Sequence, residues 1–424
     1  MSKVEVKPGM FSAVESKPSL KNGITMAAFA AAILTVFGFM GSSQSVTFQL
    51  SDAASWTALP DVVLRSSDLG IWSGFILIAL AASSLALGIG KRHTPKYLIV
   101  VFALVAITAL LGWIAAGNVV PVSFILGNML VLAIPIILGG MGGIMSERVG
   151  VVNIAIEGQL LTGAFMASVI GSITGSLWIG LITAMITAAI LSMVLASLAV
   201  KYLVDQVIIG VLLNVLVIGV TNFLYSQVLS ENQADLNFPG TFNKIAIPFL
   251  SQLPIVGDAF FNRSIIVYLT YLIVPAIWFM LFRTRLGLRA RSVGEHPLAA
   301  DTVGINVART RFWWVTIGGA IAGLGGAAIT IGNVGAFGRE MTGGQGFIAL
   351  AVVILGRWQP IYVSISALLF GFAIILRIWA NQVNPGIPVD FITMVPYLVT
   401  LIAVAGFAGK VRAPAADGVP YEKG

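Results

Sequence analysis

The chain has 424 residues, of which 58% are hydrophobic and only 10% charged, with a formal net charge of +7. A soluble domain carries about 25% charged residues, so this composition and a mean hydropathy of +0.98 exclude a fully water-solvated surface and leave lipid as the solvent that fits. The positive charges sit in short segments between apolar runs, which is how a chain orients itself in a membrane with some attraction to anionic lipid, and not how a nucleic-acid binder is built.

Residues 1–23 form a polar N-tail carrying Lys3, Lys7, Lys17 and Lys21. The apolar run that follows lacks a small-residue cleavage site with a soluble domain behind it, so it reads as a first membrane anchor. A helix needs about 20 mostly apolar residues to cross the hydrocarbon core. By that rule spans are expected near 24–41, 71–90, 97–117, 124–145, 155–173, 177–200, 206–228, 264–282, 312–331, 361–380 and 391–409. A shorter Gly-rich run near 344–356 crosses or re-enters. The runs are continuous instead of alternating, which argues against strands. The expected fold is an all-α polytopic bundle of about 11–12 spans, in two weakly repeated halves with re-entrant or broken segments.

With both termini in the cytoplasm, 19 of the 24 Lys and Arg residues fall on the cytoplasmic side. The positive-inside rule favours that orientation over its inverse. Two polar loops then remain outside, roughly 42–70 and 229–263. The longest cytoplasmic connection is 283–311, where Glu295 and His296 precede Pro297, a residue suited to a first helical turn. Leu298, Ala299, Ala300 and Asp301 continue the pattern and Gly304 supplies a left-handed stop, so a short helix is expected near 297–303. It is too short to be stable alone and needs something to pack against.

ERVGVVNIAIEGQLLTGAF (147–165) and REMTGGQGFIALAVVIL (339–355) share a charged pair, a Gly-containing polar stretch and an apolar run. Paired, Gly-interrupted segments in two halves point to a transporter pathway.

At these motifs the sequence resembles a known family. GGIMSERVGVVNIAIEGQLLTGAF (142–165), GLRARSVGEHPLAADTVGINVARTR (287–311) and MTGGQGFIALAVVILGRWQP (341–360) are similar to ATP-binding-cassette importer permeases for simple sugars and nucleosides, of the branched-chain/ribose type and its nucleoside branch. The resemblance covers roughly 120–409, the expected permease domain, flanked by additional helices at 24–119 and a C-tail at 410–424. It implies a bacterial inner-membrane protein that pairs with a second permease, identical or homologous, and sits on two cytoplasmic ATPase subunits. An extracytoplasmic substrate-binding lipoprotein would deliver the solute. It also implies that Glu295–Asp301, closed by Gly304, is the helix that docks on the ATPase.

No Gly-x-x-x-x-Gly-Lys-Ser/Thr phosphate loop occurs, so this chain binds no cofactor of its own and ATP with Mg belongs to partner subunits. There are no cysteines, and the two histidines, His93 and His296, lie too far apart to suggest a metal site. The Gly-rich stretches 139–143 and 318–323 sit in apolar surroundings and suit close helix packing. Glu157 stands out because an ionised carboxylate at the start of an apolar span is costly unless paired or hydrated. With Asn153 and Gln159 it either lines a translocation path or acts as a structural partner, for Arg148 or for the backbone of a broken helix. Asn214, Asn222, Gln345 and Asn128 are further polar residues within apolar segments, facing a path or hydrogen-bonding to neighbouring helices. A secondary transporter driven by an ion gradient is the alternative, but it normally needs several buried ionisable groups. No paired carboxylates, His cluster or nucleophile–base set suggests an enzyme.

Overall fold

The computed structural model describes residues 20–51, 56, 58–383, 394 and 413–422, and the chain divides into two compact units. Among the described residues ten helices are long and apolar enough to cross a membrane. The span expected at 391–409 lies outside the described residues except for residue 394.

The first unit holds residues 20–50, 59–122 and 382–383 of those described. Helices α1 (Lys21–Ile33), α2 (Ser66–Ile89) and α3 (Lys96–Ile114) pack around Ala30, Leu77, Ala81 and Ala109. The first helix runs on through a wide π turn, Leu34–Phe39. Strands were not expected, yet the connections form a small sheet of β1 (Ser45–Gln49), β2 (Val62–Arg65) and β3 (Val119–Pro121). β1 lies centrally, antiparallel to β2 (Ser45 opposite Arg65) and parallel to β3 (Thr47 opposite Val119). The β-branched residues of 45–49 and 62–65 suit such a pleat even though each run is short.

The second unit opens with α4 (Val122–Glu147), α5 (Ile156–Thr174), α6 (Leu177–Val200) and α7 (Gln206–Leu224). Asp205 caps α7 by accepting from the amides of Val207 and Ile208. The connection that follows carries α8 (Gln233–Leu236), α9 (Gly257–Phe261) and a minimal antiparallel pair, β4 (Ile245–Ala246) with β5 (Asn262–Arg263). Then come α10 (Ile265–Arg283), α11 (Arg285–Glu295), α12 (Pro297–Thr302), α13 (Val307–Ile329), α14 (Gln345–Leu355) and α15 (Pro360–Val383). α2 and α13 start earlier than the apolar runs suggest, because their first turns are polar; the Asn306 side chain caps α13 by accepting from the Arg309 amide.

α13 is the most enclosed helix of this unit and packs closely on α5 and α6. The Gly-rich stretches do meet: a Cβ on Gly142 of α4 would fall 2.5 Å from the Gly318 carbonyl oxygen of α13, so only glycine permits this approach. Around it Leu138, Met141, Ile144, Leu160, Leu195, Val315 and Leu324 form a buried core. The outer faces of α6 and α7 present Ile182, Ile186, Ile190, Leu212, Val215 and Leu216 outward at helical spacing, a surface that lipid solvates and water does not. Prolines 135 and 275 stand inside α4 and α10, which neighbouring helices make tolerable in a membrane bundle.

Two crossings are broken. Residues 148–155 lead non-helically into α5, and 335–344 lead into α14. With 11 residues, α14 is about 16 Å long at 1.5 Å per residue, short of the roughly 30 Å hydrocarbon core. These broken stretches are the two weakly similar segments noted above.

Candidate functional site

The two broken segments meet at Glu157. This residue stands in the first turn of α5, is 5% exposed, and uses both carboxylate oxygens on the turn that opens α14. Thr342 Oγ1 donates to Oε1 at 2.6 Å, the Gly344 amide to Oε1 at 2.9 Å, and the Gly346 amide to Oε2 at 2.6 Å. The carboxylate therefore stands at the N-termini of two helices and accepts from amides that have no partner within their own helix. A Cβ on Gly346 would lie 2.4 Å from the Glu157 Cα, so the second segment closes directly over the first.

The other polar residues singled out near this point are drawn in with it. Asn153 and Gln159 are fully buried and bond reciprocally, Nδ2 to Oε1 at 3.1 Å and Nε2 to Oδ1 at 3.2 Å. Gln159 also donates to Ser192 at 2.8 Å. Asn214 of α7 accepts from the Gly158 amide and donates to the Ile154 carbonyl, both at 2.8 Å, and so holds the break before α5 open. Gln345 lies between the two glycines, and its buried Oε1 has no hydrogen-bond partner among the described residues. Arg148 is not a partner of Glu157; its Nε and Nη2 donate to the Trp358 carbonyl at 3.2 and 2.9 Å. The Trp358 indole in turn donates to the Glu147 carboxylate.

Asn128 and Asn222 lie elsewhere. Asn222 donates to Glu340 at 2.9 Å. Asn128 lines a cavity of about 510 Å³ together with Asn243, Lys244, Asp258, Arg263 and Asn333, with the rings of Phe124 and Phe242 beside them. Arg263 is fixed there by the Ala259 carbonyl (2.8 Å) and by Asp258 (3.8 Å). The cavity offers amides, hydroxyls, charge of both signs and aromatic faces. Among the described residues no group of three or more His, Asp or Glu is placed to hold a metal.

The short helix expected near 297–303 is α12. His296 precedes it with non-helical backbone angles and accepts from the Ala299 amide through Nδ1 at 3.2 Å; Pro297 occupies the first turn. Gly304 follows at φ +86°, its amide donating to the Asp301 carbonyl. Ala300 faces inward, while Leu298 and Val303 are 59% and 74% exposed. α11, which was expected as loop, turns Gly287, Ala290, Val293 and Gly294 inward and Leu286 and Leu288 outward. Leu286, Val303, Ile305 and Trp313 line a groove of about 620 Å³ with Arg289 and Arg309 at its edge.

The sequence reading also missed the docking of residues 413–422 on this end of the unit. Ala416 donates its amide to the Gly294 carbonyl at 2.9 Å, and Arg311 donates to the Val419 carbonyl at 2.9 Å. Burial beside Glu147 and Arg311 pushes the Asp417 carboxyl up to about 7, against the opposing pull of Arg311 and the Gly418 amide. These contacts run through backbone atoms, which residue types do not announce.

The family described as the permease component of branched-chain amino acid transport systems matches residues 125–404. The guanosine ABC transporter permease protein NupQ of Bacillus subtilis is 41% identical over 314 residues, covering 71% of this chain and 97% of the relative. The nucleoside ABC transporter permease protein NupC of Lactococcus lactis is 38% identical, covering 70% of this chain and 96% of the relative. A putative glucose ABC transporter permease protein, TsgC13 of Haloferax volcanii, is 34% identical over 59% of this chain and 75% of its own length. No solved structure matches the chain.

Proposed function

The chain belongs to the permease-component family of branched-chain amino acid transport systems, and from that premise we propose that it forms the membrane path of an ATP-binding-cassette importer for nucleosides. The similarity to the guanosine and nucleoside permeases over 96–97% of their lengths carries the substrate class. The cavity lined by Asn128, Asn243 and Asn333 suits solutes that combine hydroxyls with an aromatic base, and its volume falls in the range of about 300–1,000 Å³ usual for ligand sites. Simple sugars are the second reading, favoured by the likeness to a putative glucose permease.

In this reading the hairpin of α11 and α12 docks on a cytoplasmic ATPase. What supports it is a six-residue helix, too short to hold alone, that presents Leu298 and Val303 to solvent beside an apolar groove edged with arginines. The distribution of Lys and Arg supports cytoplasmic termini. A second permease, a second ATPase and an external binding lipoprotein complete the system. ATP-driven closure of the ATPases moves the hairpin, and the bundle exposes its path first outward and then inward. Glu157, with Asn153, Gln159 and Asn214, is the clamp that holds the two broken crossings together during this motion. Gln345 is the residue of that cluster left to meet the solute.

The test is purification of the tagged chain in mild detergent from cells expressing its native neighbours, with co-purifying chains identified by mass spectrometry. Recovery of an ATPase subunit supports the importer. A chain that purifies intact and alone contradicts it and redirects attention to proton or sodium coupling.

A further inference from the structure

Residues 413–422 form no helix or strand, yet they are held at defined points on three other parts of the second unit. On the α11 side, the Ala416 amide donates to the Gly294 carbonyl at 2.9 Å and the Ala415 amide to Glu295 Oε2 at 3.4 Å. On α13, Arg311, itself 2% exposed, donates to the Val419 carbonyl at 2.9 Å. Against the break before α5, the Ala416 carbonyl oxygen lies 2.8 Å from where a Cβ on Gly150 would stand, and Gly418 packs against Val152. Pro414 and Ala416 are buried while Ala413, Ala415, Gly418, Val419, Pro420 and Glu422 are exposed, so the segment lies on the surface of the unit and is seated there by two residues.

The placement matters because of what each anchor leads to. Gly294 and Glu295 belong to the hairpin of α11 and α12. Gly150 and Val152 belong to the run that ends at Asn153 and, four residues later, at Glu157. We infer that the segment 413–422 is a strap that ties this hairpin to the broken crossing before α5, so that movement of the hairpin is delivered to the Glu157 junction. Its residues are positioning residues for transport and touch no solute. The inference rests on the reading of α12 as the ATPase-docking helix.

The experiment uses the assembled transporter with its ATPases. One variant ends the chain after Arg412; a second, Ala416→Pro, removes the amide that bonds Gly294, and Ala416→Gly, which keeps that amide, is the control. ATP hydrolysis and solute uptake are measured together per assembled complex. The expected result is ATP hydrolysis retained in both disrupting variants while uptake per ATP falls about ten-fold or more, the scale of a typical coupling free energy, with Ala416→Gly close to the unaltered protein. An unchanged ratio of uptake to hydrolysis overturns the strap, as does loss of assembly in both variants, which makes the segment part of the scaffold alone. The underlying reading fails separately: if Leu298→Asp on α12 leaves ATPase association intact, it is the docking assignment that is wrong.

Discussion

The start of α5 and the hairpin of α11 and α12 are both polar, glycine-containing stretches between apolar helices, but they are finished differently. At α5 the donors and acceptors of Asn153, Glu157, Gln159 and Asn214 find partners inside the chain, and all four side chains are buried. At α12 the backbone is capped by His296 and closed by Gly304, yet Leu298 and Val303 stand in solvent. A polar cluster completed from within stabilises a fold, because each unmet buried group would cost about 1–3 kcal/mol. A short helix with apolar side chains left outside has no such completion within the described residues. The contrast separates a cluster that holds the bundle together from the helix that, in the function proposed above, an ATPase engages.

Removing the Glu157 carboxylate should have the largest effect. Glu157→Ala leaves two amides and a hydroxyl unpaired in a buried place, at about 1–3 kcal/mol each; a large fall in thermal midpoint and purification yield is expected in detergent. Glu157→Gln should lose less, since its carbonyl oxygen still accepts. Normal stability with abolished transport in Glu157→Gln would move this residue from the clamp to the path. Next comes Leu298→Asp, which should leave stability unchanged because the side chain is exposed, and should cost at least about 2 kcal/mol of ATPase binding if it is an interface anchor. Quantitative co-purification checks it.

A smaller effect concerns pH. The docked Asp417 carboxyl titrates at about 7 instead of 3.8, so docking takes up a proton. Docking of 413–422 should therefore weaken as pH rises from about 4 to about 7 and level off above. Glu147 and Arg311 face this group and set its field. Amide exchange of 413–422 compared at about pH 5.5 and 7.5 should show more protection at the lower value, and Asp417→Asn should flatten the difference. The smallest change is expected for Asn222→Leu, which loses one bond to Glu340 in the non-helical stretch before α14; side-chain bonds between helices of membrane bundles average about 0.6 kcal/mol, and a loss of that size is visible as a slight shift in thermal midpoint.

Much of the bundle was legible because continuous apolar runs have one physical explanation, and α12 because His-Pro and Gly mark its ends. α11 was hidden for a definite reason. Its buried face is Gly287, Ala290, Val293 and Gly294, mostly small residues, and Arg285, Arg289 and Arg291 make so short a run read as a polar connection. Glu157 was visible as an expense, but its partners stand 185–189 residues further along and two are backbone amides. The same holds for 413–422, whose fixed points are carbonyls and amides. Chemistry carried by side chains can be read from a sequence; contacts carried by the main chain wait for the fold.

The most direct test of the central claim is uptake of radiolabelled guanosine into vesicles holding the complete system, with its binding protein outside and ATP supplied to the ATPase side. Uptake that requires ATP, persists when proton and sodium gradients are collapsed, and is competed by other nucleosides is the expected result. Uptake that follows an ion gradient and ignores ATP would contradict it.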